Sequence, residues 1–406
     1  MIEKGFDEIT KDDIVELVTN AVAEGNSIEY KEQLPRGSDD DSREFLADVS
    51  SLANASGGDL IFGMRAEKDA NGKPTGMPES AEGLTASNPD ADTLRLSNMI
   101  RDGIDPRIPG VRIRHINGFP LGPVIVLRVP KSWASPHMVK FKSWSRFFSR
   151  TSAGKYPLDV REIRASFLAS EAVGDKISRF RSDRVGKILA GETPVTLEPA
   201  PKIVLHLLPI RAFSEPVALD LNAAKSAWDK QKLVPMGQPQ SFGPTQYNFN
   251  GLSCSGSIGQ STKIVGYVQL FRNGVIEAVC ARIGGDRMLF GYMLEQELMK
   301  GAARYIKSQT ELGIGPPAFV AISLLSVKGF TFFPILNPMP SSFPYYPGNR
   351  PIDQDVLLAP EVLAEEPGVD IGRLLRPALD TLWQASGWPG SHGYDESGKW
   401  VGNARP

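Results

Sequence analysis

Between positions 133 and 156 the chain interleaves Trp133, Phe141, Trp144, Phe147, Phe148 and Tyr156 with Lys140, Lys142, Arg146, Arg150 and Lys155. Cations neutralise phosphates and aromatic faces stack on unpaired bases, so this mixture points to a nucleic-acid partner, DNA or RNA alike. The same alternation also describes a pair of strands with one buried and one solvated face, and both descriptions can hold at once. Phe147 and Phe148 fall on opposite faces of such a strand, which gives one to the core and leaves the other as a candidate stacking platform.

The stretch sits in a chain of lopsided charge. The formal net charge is only -2, yet residues 1–106 hold 10 Lys/Arg against 23 Asp/Glu, while residues 107–187 hold 17 against 5. An acidic part followed by a basic one also suits another reading, a protein-interaction scaffold that forms homo-oligomers by apposing acidic and basic surfaces. Other chemistries are poorly served. Cys254 and Cys280 are too few for a disulfide framework or a cysteine zinc site, and they read as small core residues. His115, His137, His206 and His392 lack ligand spacing. No glycine-rich loop ends in Lys-Ser/Thr: Gly57 and Gly58 follow a helix and read as a structural turn, and Gly72-Lys73 is followed by Pro74. ATP is therefore not an expected cofactor. No apolar run approaches the roughly 18 residues of a membrane span. Acidic residues interrupt the apolar stretches of MIEKGFDEITKDDIVELV, unlike a signal peptide, so the expected location is cytoplasmic, with no membrane partner.

The elements that would position these residues make a mixed α/β protein of two domains. A short helix over 12–23 precedes a strand over 24–32. PRGSDDD then leads into a helix capped by Asp41 with Glu44 three residues on, its apolar stripe being Phe45, Leu46, Val49, Leu52 and Ala53. Leu60 to Phe62 reads as a buried strand, 91–104 as an amphipathic helix, and 111–116 with 124–129 as a hairpin. Strands over 139–142 and 146–150 complete the basic region, and a helix with interruptions runs from 158 to 189. Pro194, Pro199 and Pro201 mark a linker over 191–202 between a domain of residues 1–190 and an α+β domain of residues 203–406. In the latter, Asn273-Gly274 is a hairpin signal, 287–310 a long amphipathic helix, and the tail after Pro338 poor in regular elements.

Three pieces of the first domain, in order and spacing, resemble the bacterial Schlafen/Alba-like (AlbA-2) domain, also called a divergent AAA or ATP-binding domain. They are EGNSIEYKEQLP at 24–35, FLADVSSLANASGGDLIFGM at 45–64 and SPHMVKFKSWSRFFSRTSAGKYPLDVREIRASF at 135–167. The resemblance implies a compact α/β unit that handles nucleic acid in regulation or defence, including antiviral defence. In some relatives it implies a metal-dependent ribonuclease using two glutamates five apart and an aspartate after the glycine-turn strand. The glutamates map onto Glu24 and Glu29, which would hold Mg2+ or Mn2+, hard cations that need converging carboxylate oxygens. The family aspartate falls at Arg65 or Ala66, leaving Glu67, Asp69 or Asp59 as substitutes. The other reading of Glu24 and Glu29 is solvated carboxylates or an ion pair with Lys31. In the third piece Arg146, Arg150, Lys155, Arg161 and Arg164 are the expected phosphate contacts, and His137 is a core histidine or a minor contact.

Overall fold

The computed structural model describes residues 1–2, 4–85, 88–231, 233–237, 239, 241–257, 264–333 and 350–402. The fold is mixed α/β, in two compact units, Met1–Ala172 and Val173–Pro406.

The first unit runs α1 (Lys11–Thr19), β1 (Ile28–Lys31), α2 (Asp39–Asn54), β2 (Gly58–Phe62), β3 (Met64–Lys68), β4 (Pro74–Ala81), α3 (Pro89–Gly103), β5 (Ile104–Asp105), β6 (Arg112–Ile116), β7 (Val124–Val129), β8 (Met138–Phe141), β9 (Trp144–Thr151) and β10 (Gly154–Pro157). It ends in the first turns of α4 (Val160–Leu189). One sheet has the order β1-β2-β7-β6, with β1 parallel to β2, and a second has the order β10-β9-β8-β5. Helix α2 lies on the first sheet and also meets the second: Phe45, Leu46, Val49 and Leu52 pack with Leu60, Phe62, Leu127, Val139 and Phe148. Ile28, Tyr30, Ile61 and Val126 face the other way, onto Phe6, Ile14 and Leu17. Burial on both faces explains the apolar runs Leu60 to Phe62 in β2 and Val124 to Leu127 in β7.

The N-cap of α2 is not Asp41. Ser38 takes that place, its hydroxyl accepting the Asp41 N–H at 3.1 Å, because the three aspartates 39–41 already form the first turn, where the helix dipole favours them. At the other end Gly57 has φ +72°, its N–H donates to Leu52 O at 2.8 Å, and a Cβ there would lie 2.5 Å from Lys131 N. A Cβ on Gly58 would lie 2.5 Å from Ser27 O, so the glycine pair lets β2 enter the sheet beside β1.

The second unit is built on an antiparallel sheet ordered 241–242, 251–257, 264–271, 276–280, 202–209, 318–325, 356–358. The expected hairpin is there, with Gly274 at φ +90° between strands 264–271 and 276–280. The helices Leu221–Gln231, Gly291–Glu311 and Ile371–Gln384 cover one face. On the other face Val185 and Ile188 of α4 meet Val204, Tyr267 and Val279. There Arg184 holds the fully buried Glu277 through two bonds of 2.8 and 2.9 Å, and His206 (3.0 Å) and Tyr267 (2.8 Å) complete its shell. Residues 334–349 of the tail lie outside the described residues. Beyond them the tail is more regular than its composition implies, because a helix over Ile371–Gln384 buries Leu375, Leu379, Leu382 and Trp383. Buried Glu295 accepts the indole N–H groups of Trp383 at 2.8 Å and Trp400 at 2.9 Å, and Trp388 packs against the same core. No described helix is long and apolar enough to cross a membrane.

Candidate nucleic-acid interface

On β1, Ile28 and Tyr30 point into the core, which leaves Glu29 and Lys31 together on the α2 side. There they join an alternating ionic chain drawn from four elements. Arg150 of β9 donates to Glu29, Glu29 meets Lys31 at 3.0 Å, and Lys31 meets Asp48 of α2 at 3.0 Å. Asp48 accepts Lys155 of β10 at 2.7 Å, and Lys155 also meets Glu44. Burial pushes the Glu29 carboxyl up, but the charges of Lys31 and Arg150 outweigh it and hold the group below its usual range. Asp48 is wholly buried, and desolvation keeps its carboxyl above the usual range despite two ammonium partners.

The candidate catalytic carboxylates are not drawn to one point. Glu24 precedes β1 rather than lying in it and accepts the Tyr30 N–H at 2.7 Å, with burial and then the Glu29 charge raising its pKa. Glu67 is exposed on β3. Arg65, standing near the family aspartate's place, pairs with Glu82 at 3.4 Å and Glu32 at 3.7 Å. Asp59 is buried against Arg128 at 2.7 Å, and Asp69 accepts the N–H groups of Asn71 and Lys73 in its own turn. Among the described residues no three His, Cys, Asp or Glu side chains gather to hold a metal ion. With Glu29 already bound by two cations, the residues present do not fit a divalent ion.

The seven basic residues of the candidate interface divide into two sets. Arg150 is a correction to the sequence reading: its side chain is 1 % exposed, and it serves Glu29 rather than solvent. Lys155 is likewise held by Asp48 and Glu44, and exposed Lys142 reaches Asp39 at 2.6 Å. Lys140, Arg146, Arg161 and Arg164 are exposed and have no ion-pair partner among the described residues. The Arg146 guanidinium lies 5.9 Å from the Trp144 ring centre. Phe148 is core, whereas Phe147 sits on the opposite face, edge-on to Phe167 of α4 at 6.2 Å, one turn beyond Arg164. The Tyr156 hydroxyl donates to Glu162 at 3.0 Å and ties β10 to the start of α4. His137 is core: its ring meets Pro106 O at 2.6 Å, and burial holds its pKa down.

Two residues of this framework escape sequence reasoning. Asp48 and Asn54 look like surface polar residues of α2, yet Asp48 is buried, and the Asn54 amide donates to His137 O (2.9 Å) and Phe148 O (2.8 Å). The signal for Asp48 is its spacing, three after Phe45 and four before Leu52, inside the apolar stripe.

Residues 24–159 match the model of the Schlafen, AlbA_2 family. No curated protein matches the chain. Similar solved structures include the N-terminal domain of an ATP-dependent DNA helicase RecG-related protein from Nitrosomonas europaea. It shares 21% identity at a TM-score of 0.22, covering 29% of this chain and 72% of that one. The DIP2311 protein from Corynebacterium diphtheriae shares 21% identity at a TM-score of 0.23, covering 36% of this chain and 26% of that one. The match to the Schlafen, AlbA_2 family lies within the first unit and spans the elements that hold both the ionic chain and the basic hairpin.

Proposed function

We propose that this domain is a nucleic-acid-binding module acting through Lys140, Arg146, Arg161 and Arg164, and not a metal-dependent nuclease. The observation that carries the proposal is the division of its cations. Those nearest the carboxylates are consumed by ion pairs, while these four stay exposed, Arg146 by the Trp144 ring and Arg164 one turn from Phe167. Free cations beside half-exposed rings are what a phosphate backbone with unstacked bases rewards. The same division favours binding over scaffolding, since much of the acidic and basic excess meets inside the unit, as in Arg112–Asp7, Arg128–Asp59 and Arg150–Glu29.

The test is anisotropy of labelled single-stranded DNA and RNA against salt, alongside product length in magnesium, manganese or EDTA. Binding weakens steeply with salt, and Arg161→Ala with Arg164→Ala lowers the salt slope by about one per removed cation for every sequence alike. Metal-dependent cleavage abolished by Glu29→Gln would instead establish the nuclease.

A further inference from the structure

A groove of about 640 Å³ opens in the first unit between α2, α3 and the β8–β9 hairpin. Helix α3 buries Leu96, Ile100 and Gly103, and a Cβ on Gly103 would lie 2.5 Å from Leu46, so the glycine seats α3 against α2. Its groove-lining side carries Leu94, Asn98 and Asp102, each four residues from the next. Leu94 is 63% exposed, an apolar side chain with little to cover it. Leu46, Met99 and Phe141 supply the remaining apolar wall. The half-buried Asn98 amide has no hydrogen-bond partner among the described residues, and Asp102 lines the groove beside it with its carboxylate held by Arg101 at 2.8 Å. Lys140 stands at the edge, one of the four free cations.

We infer that this groove receives one unstacked base of a bound strand, while Lys140 holds the adjoining phosphate. The inference rests on the nucleic-acid reading above. Apolar walls suit the two faces of a base, and the Asn98 amide offers its edge both a donor and an acceptor. The size lies within the range of small-ligand pockets. An apolar side chain of a protein partner would cover the Asn98 amide without satisfying it, which disfavours that occupant.

The probe is a short single-stranded oligodeoxynucleotide with a terminal dye and one internal 2-aminopurine. Dye anisotropy reports binding, and 2-aminopurine emission reports the surroundings of the base. Emission rises on binding as the base leaves its neighbours' stack. Leu94→Glu and Asn98→Leu remove the rise and weaken binding about tenfold, with unchanged circular dichroism. Arg146→Ala weakens binding but keeps the rise in the saturated complex. Binding without a rise, or a rise that survives Leu94→Glu, overturns the base slot and leaves the interface standing. Absence of binding overturns both, and a hydrophobic dye held in the groove that no oligonucleotide displaces would reassign it to a protein partner.

Discussion

Arg146 and Arg150 stand four residues apart on one strand, and their fates diverge because only one has a carboxylate within reach. Arg150 lies against Glu29 with its side chain almost wholly covered. Removing it leaves Glu29 with Lys31 as its one remaining cation, so Arg150→Ala lowers stability by about 1–3 kcal/mol, readable as a lower urea midpoint. Arg146→Ala shifts the midpoint little and acts on binding instead. The sequence shows residue types but not the partners that topology assigns. Glu29 and Arg150 are 121 positions apart, and nothing local in SRFFSR or IEYK marks them as a pair. Lys31, by contrast, was legible as a partner of Glu29, because alternation on a strand puts i and i+2 side by side.

At the scale of elements, α2 was the most legible, its stripe of Phe45, Leu46, Val49 and Leu52 reappearing intact in the core. Its start was misplaced because Asp41 and Ser38 are both good caps, and only backbone geometry chooses between them. Ser38→Ala is expected to cost about 1 kcal/mol and Asp41→Ala less, a ranking that urea unfolding of the two variants would check. The strand at Glu24–Glu32 shortened to Ile28–Lys31 because its first residues run as a loop, Glu24 donating its N–H to Gly76 O. Conversely α4 passes unbroken through Gly174 and Gly186, where glycine propensity argues for interruption. Its anchoring explains the override: Arg181 donates to Ile322 O at 2.7 Å and Ala359 O at 2.9 Å, and Arg184 grips Glu277.

Across the whole molecule, buried carboxyls shifted in opposite directions set the response to acid. Glu277 is buried, but His206 and Arg184 more than offset that cost and bring its pKa down to about 2. A depressed folded-state pKa contributes stability above the ordinary glutamate range, and that contribution fades as pH falls toward 2. The amount is on the order of 3 kcal/mol. Urea midpoints measured between pH 5 and pH 3 should therefore fall in the parent chain and fall less in Glu277→Gln. Glu295 works in the opposite sense, since burial raises its pKa, and its contribution is lost as pH rises through that raised value. The two indoles that end on Glu295 give the second unit an optical gauge of its own. If residues 385–402 peel away, Trp400 enters water and its emission moves to the red. Trp228, fully buried with its N–H on Ser308, keeps its emission until the core itself opens.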